Sequence, residues 1–222
     1  MPRLAAAIIL ALSLSPARAE LPNLSADASG APGTATRLVV AQRSYLHALK
    51  TGEVLPLLAA IRLARSVTLR PATGWELTTE GTPPEVSPPP GPDPASAVAL
   101  VIAQNLASED PDLQDLVYDL DAQLPRGLLE TAVAATGALA PGQSDSWRIA
   151  LFGEVAAELA LIGDGKSPLA LTLTDDSGSR LCTRPASSNP ALCRVTPARN
   201  GFFILSITNA GPSAVSYRLI GN

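Results

Sequence analysis

Three groups of side chains in this 222-residue chain are spaced closely enough to do chemistry together. The first is the cysteine pair, Cys182 and Cys193, inside LTLTDDSGSRLCTRPASSNPALCRV. Their separation is too wide for a C-x-x-C redox or metal motif, and the single histidine, His47, is remote in sequence. In an oxidising compartment an even pair of this kind forms a disulfide. Closing so short a loop contributes roughly 3 kcal/mol in the chain-entropy picture. The second group is Asp164, Asp175 and Asp176. They are candidate calcium ligands, but the ion requires about six to eight oxygens. Asp175-Asp176-Ser177-Gly178 reads more simply as a hairpin turn, because Asp and Gly tolerate turn backbone angles. The third group, Asp112, Asp115 and Asp119, steps by three and four residues and so shares one side of a helix.

A glycosidase needs two carboxyls in unlike environments across a cleft, which one helix face does not supply. The three aspartates are expected as a solvated face, favoured near a helix N-terminus and able to steer a basic partner. His47 lies beside an apolar stripe and is expected as a boundary residue. There is no G-x-S-x-G elbow, no set of three zinc ligands and no glycine-rich phosphate loop. No catalytic residue, resident metal or cofactor is therefore assigned, and the expected function is non-catalytic. A calcium- or polysaccharide-binding module of the cell envelope is the alternative, and an unrecognised hydrolase the second.

The elements that must position these groups fall into two halves. Leu38, Val39, Tyr45, Leu46 and Leu49 recur at helical spacing until Gly52 breaks the pattern. Val54, Leu57, Leu58, Ile61 and Ala64 carry a second helix, with Pro56 in its first turn. Residues 70–92 lack a sustained period apart from a short strand at WELTT, and GTPPEVSPPPGPDP reads as an exposed polyproline spacer. Asp93-Pro94 and Asp110-Pro111 each resemble an N-cap followed by proline. They introduce stripes Ala97, Leu100, Val101, Leu106 and Leu113, Leu116, Val117, Leu120, Leu124, the latter ending near Pro125-Arg126-Gly127. The two helix pairs weakly resemble tetratricopeptide hairpins without the signature aromatics. After Pro141-Gly142 the period becomes two. Alternating runs centred on Ile149, Leu159, Leu171, Leu205 and Tyr217 describe five half-buried strands of an antiparallel β-sandwich.

PGQSDSWRIAL, AELALIGDG, LALTLTDDSG and GFFILSITNAGPSAVSYRLIGN occur in an order that resembles the bacterial pre-peptidase C-terminal domain over residues 138–222. The resemblance implies a jelly-roll-like sandwich that accompanies secreted enzymes and in some members binds calcium or an extracellular polymer. The positions matching the family's calcium-binding aspartates are Pro168 and Ala170, which supply no carboxylate.

MPRLAAAIILALSLSPARAE has the basic start, apolar core and small-x-small site of a secretory signal. Its apolar run is shorter than the roughly 20 residues of a membrane span. Removing Arg3 and Arg18 from the 16 basic residues leaves 14 against 20 acidic ones, a balance unsuited to nucleic acid or anionic membranes. The expected organisation is a signal peptide (1–19), a flexible segment (20–35), a helical domain (36–127) with a proline-rich insertion (81–94), and the sandwich (138–222). The class is α+β, a small helical-hairpin domain followed by an antiparallel jelly-roll-like sandwich. The protein is expected in the periplasm or secreted. Its helices would contact an exported or envelope protein, with polysaccharide the alternative partner, and the sandwich would stabilise or add a second contact.

Overall fold

The computed structural model describes residues 21–26, 31–122, 130–186 and 189–222. The expected signal peptide, Leu124 and the expected helix end at residues 125–127 lie outside the described residues. The order is α1 (Thr34–Thr51), α2 (Val54–Arg65), β1 (Val67–Pro71), β2 (Glu76–Glu80), α3 (Ala97–Leu106) and α4 (Pro111–Ala122). Eight strands follow: β3 (Glu130–Leu139), β4 (Ser144–Leu151), β5 (Ala157–Gly163), β6 (Leu169–Thr174), β7 (Arg180–Arg184), β8 (Ala191–Val195), β9 (Gly201–Asn209) and β10 (Val215–Gly221).

Two five-stranded sheets stack face to face, ordered β1-β3-β10-β5-β8 and β2-β4-β9-β6-β7. All pairings are antiparallel except β1 with β3, which is parallel. Alternation sends Ile149, Leu161, Leu171, Phe203, Leu205 and Leu219 into the space between the sheets, where they are buried. Gly137 on β3 makes room for the Tyr217 ring beside it; a Cβ there would collide with that ring.

Helix α1 lies on the first sheet, α2 packs against α1, and α3 and α4 pack on α2. Gly52, in the left-handed region (φ 75°), donates its N–H to the Ala48 carbonyl and ends α1, so that α2 folds back against it. One side of α1 meets α2; the other, through Ala35, Leu38 and Val39, packs on Ala132, Ala160 and Ile220 of the sheet. Consequently β5 is buried on both faces and is not the half-buried strand its alternation suggested. Burial of a side chain such as Ile220 contributes about 1.5–3 kcal/mol.

Several expectations need correction. The helical stretch 36–127 is not separate from the sandwich, because its β1 pairs with β3 and its β2 with β4, placing one strand on an edge of each sheet. Residues 70–92 are therefore only partly a spacer. The proline-rich insertion runs along the first sheet: Ser216 Oγ donates to the Pro89 carbonyl (2.8 Å), Gln42 Nε2 to the Pro92 carbonyl (2.9 Å), and Arg218 pairs with Asp93 (2.9 Å). Gly91 lets it approach closely, since a Cβ there would sit 2.5 Å from the Asp164 Cα. Asp93 does not cap α3; Ser96 does, accepting from the Ala99 N–H. Asp110 caps α4 as expected, accepting from the Asp112 and Leu113 N–H groups. The segment expected to be flexible (20–35) is held at both described ends. Asn23 is buried and exchanges two side-chain hydrogen bonds with the Arg199 backbone, and the Gly33 N–H donates to Glu158.

Candidate functional site

The cysteines form a disulfide, Cys182–Cys193. It ties β7 on the edge of the second sheet to β8 on the edge of the first, so one covalent bond joins the two sheets at that side of the sandwich. The arrangement fits an oxidising compartment.

The three aspartates proposed for calcium do not converge. Asp164 precedes β6, whereas Asp175 and Asp176 follow it, and six strand residues span roughly 20 Å. The carboxylate of Asp164 accepts from the Lys166 and Ser216 N–H groups. Asp175 is buried; one oxygen accepts from the N–H and hydroxyl of Ser177 and the N–H of Ser179, the other from the Asn23 N–H. Burial works against its charge, but these hydrogen bonds outweigh it and hold its pKa below the usual aspartate range. The residue closes the turn and pins the N-terminal segment. Asp176 is exposed and lies 3.8 Å from Arg199. Among the described residues no group of three histidine, cysteine or carboxylate side chains is arranged to hold a metal ion.

Sequence reasoning passed over two buried polar centres. Glu158, on the outward face of β5, is 2% exposed. It accepts from the Gly33 and Thr36 N–H groups and the Thr36 hydroxyl, and pairs with Arg194 at 3.0 Å. Burial opposes its charge, yet the hydrogen bonds and Arg194 bring its pKa below the usual glutamate value. Glu158 thereby satisfies free N–H groups at the start of α1 and fastens that helix to the sheet. The second centre lies inside the sandwich, where Tyr217 donates its hydroxyl to Asp145 and accepts from Trp147 Nε1 (2.9 Å). Burial first, and the bond to Asp145 second, raise the Tyr217 pKa far above the tyrosine range. A hydroxyl enclosed in this way completes a packed core. Glu158 had a sequence signal: a lone charge within AELALIG, a run otherwise apolar on both faces.

Two adjoining clefts of about 430 and 320 Å³ separate the proline-rich segment from the first sheet. The polar groups of Gln42, Ser216 and Arg218 on their walls are already bonded to that segment. His47 is exposed on α1.

The remaining candidate is the helical surface turned away from the sandwich. Asp112, Asp115 and Asp119 are all exposed on α4, as the spacing required. From Ala97 to Ala122 the chain carries six carboxylates and no lysine, arginine or histidine. Helix α3 is apolar nearly all round. It buries Ala99, Leu100 and Ala103 but leaves Val98 65% and Val101 52% exposed. Helices apolar on every side are normally covered on every side. Between α3 and α4 runs a groove of about 400 Å³, floored by buried Val117 and bordered by Gln104, Asp115, Tyr118 and Asp121.

No family model and no curated protein matches the chain. Among solved structures it is similar to the pre-peptidase C-terminal domain of collagenase from Bacillus anthracis, at 15% identity and a TM-score of 0.34, covering 40% of this chain and 87% of that one. It is also similar to the Yersinia pseudotuberculosis-derived mitogen (13% identity, TM-score 0.30, 41% and 84% covered). A third likeness is to Aeromonas hydrophila PliG, a periplasmic inhibitor of g-type lysozyme (9%, TM-score 0.30, 41% and 84%). No described helix is long and apolar enough to cross a membrane.

Proposed function

We propose that this is an exported, non-catalytic adaptor whose helices hold a protein partner and whose disulfide-tied sandwich is the stable body carrying them. The observation that carries the reading is α3, apolar on its solvent side as well as its core side, with Val98 and Val101 open beside acidic α4. Its charge sign favours a basic partner, an attraction that weakens with salt.

Affinity capture from a host cell-envelope extract tests this, comparing the native chain with a Val98→Asp/Val101→Asp variant. A single protein retained by the native chain, released by salt and lost with the variant is the expected result. Retention unchanged by the variant, or turnover of peptide or glycan substrates by the purified chain, would overturn it.

A further inference from the structure

We infer that the groove between α3 and α4 receives an arginine side chain of the partner; this rests on the adaptor reading above. On α4, Asp115, Tyr118 and Asp121 follow one another at three-residue steps, which makes them neighbours along one line of the helix surface. The Tyr118 ring is 74% exposed, although a tyrosine on a helix flank ordinarily lays its ring on the body of the protein. Beside it the groove floor is apolar Val117, 1% exposed, and the far wall is the neutral Gln104 amide. Gln114 Nε2 donates to the Ser108 carbonyl (2.6 Å) and holds the start of α4 to the end of α3.

An exposed aromatic face, a carboxylate on either side of it and no cation in either helix match one side chain best. Arginine combines a planar guanidinium that stacks on a tyrosine ring with a fork of donors for two carboxylates. Lysine offers the charge without the plane. Among the described residues Asp115 and Asp121 make no ion pair. Val98 and Val101 on neighbouring α3 extend the contact with an apolar strip.

Isothermal titration of the disulfide-bonded chain with a synthetic helical peptide, leucine and arginine at i, i+4 spacing, tests the assignment. Twin peptides carry lysine or glutamine in place of arginine. The arginine peptide should bind roughly tenfold more tightly than the glutamine twin, and more tightly than the lysine twin. Asp115→Asn with Asp121→Asn should erase the first difference, and Tyr118→Ala the second. These side chains are exposed, so urea unfolding midpoints should stay at the native value and show that each variant is folded. Equal affinity for the arginine and glutamine peptides, no binding of the arginine peptide, or a preference that survives the double aspartate variant would each overturn the groove assignment. Capture sensitive to Val98→Asp/Val101→Asp would still uphold the adaptor reading in those cases; loss of that sensitivity as well would remove both.

Discussion

The two sheets of the sandwich show the same inward face and opposite outward faces. Outward from the first sheet point Ala132, Ala160 and Ile220, buried under α1 and the end of α2. Across the second sheet the outward positions line up in rows, Thr78, Ser146, Ser206, Thr172 and Thr183 on successive strands, then Ser144 and Thr208, whose hydroxyls bond to each other at 2.8 Å. No described helix lies there, and at the open end the Arg148 guanidinium lies over the half-exposed Phe202 ring. Both sheets obey a two-residue period, so period does not distinguish them. What does is the polarity of the outward residue: apolar where a helix must approach, hydroxyl-bearing where water must.

Matched substitutions on the two faces sharpen this difference. Ile220 and Ile204 both point outward, Ile220 under α1 and Ile204 on the open sheet. Ile220→Ala should destabilise the fold by about 2–5 kcal/mol, and Ile204→Ala by less than about 1 kcal/mol. Urea unfolding of the pair measures it, and equal losses would break the comparison. Next in size is the bond joining the faces at their edge. Replacing Cys182 and Cys193 together by serine should remove about 2–4 kcal/mol, visible as a lowered thermal midpoint under non-reducing conditions.

Glu158 ranks third. Glu158→Gln removes a charge that three donors and Arg194 engage, and should weaken the attachment of α1 by about 1–3 kcal/mol. Its pH signature follows from direction alone. The folded-state pKa values of Glu158 and Asp175 lie below their ordinary values of 4.5 and 3.8. Their stabilisation is complete above those ordinary values and is lost as pH falls through the lower folded-state ones. Stability measured from neutral to acidic pH should therefore fall on the acid side, and less steeply in Glu158→Gln and Asp175→Asn; an unchanged slope would mean these carboxylates are not the groups responsible. The smallest effect belongs to the helical surface. Asp112→Asn or Asp119→Asn should change stability by less than about 0.5 kcal/mol while lowering the salt dependence of partner capture.

Much of the fold was legible locally. Helices α1 to α4 and strands β4, β5, β6, β9 and β10 each carry a clear period and lie where it put them. Strands β1, β3, β7 and β8 were not separately foreseen. β3 reads ETAVAATGAL, small residues at most positions, with α1 packed on one side and the Tyr217 ring on the other. β7 and β8 are five-residue edge strands with little room to show alternation. Of the candidate sites, the exposure of Asp112, Asp115 and Asp119 followed from helical spacing. The calcium grouping failed because nearness in sequence was taken for nearness in space, and β6 intervenes. Tyr118 came into view only when α3 was placed beside α4.

The sequence by itself determined the helices, the strands with a clear period and the cysteine pairing, since period, caps and residue counts act over a few neighbouring residues. Only the tertiary structure decided that α1 lies on the first sheet, that β1 and β2 leave the helical half to join opposite sheets, and that Glu158 becomes a buried anchor. Each of those outcomes depends on what meets a face from a distant part of the chain. Desolvation, which sets whether an outward alanine, serine or glutamate is stable, has no value until that second surface arrives.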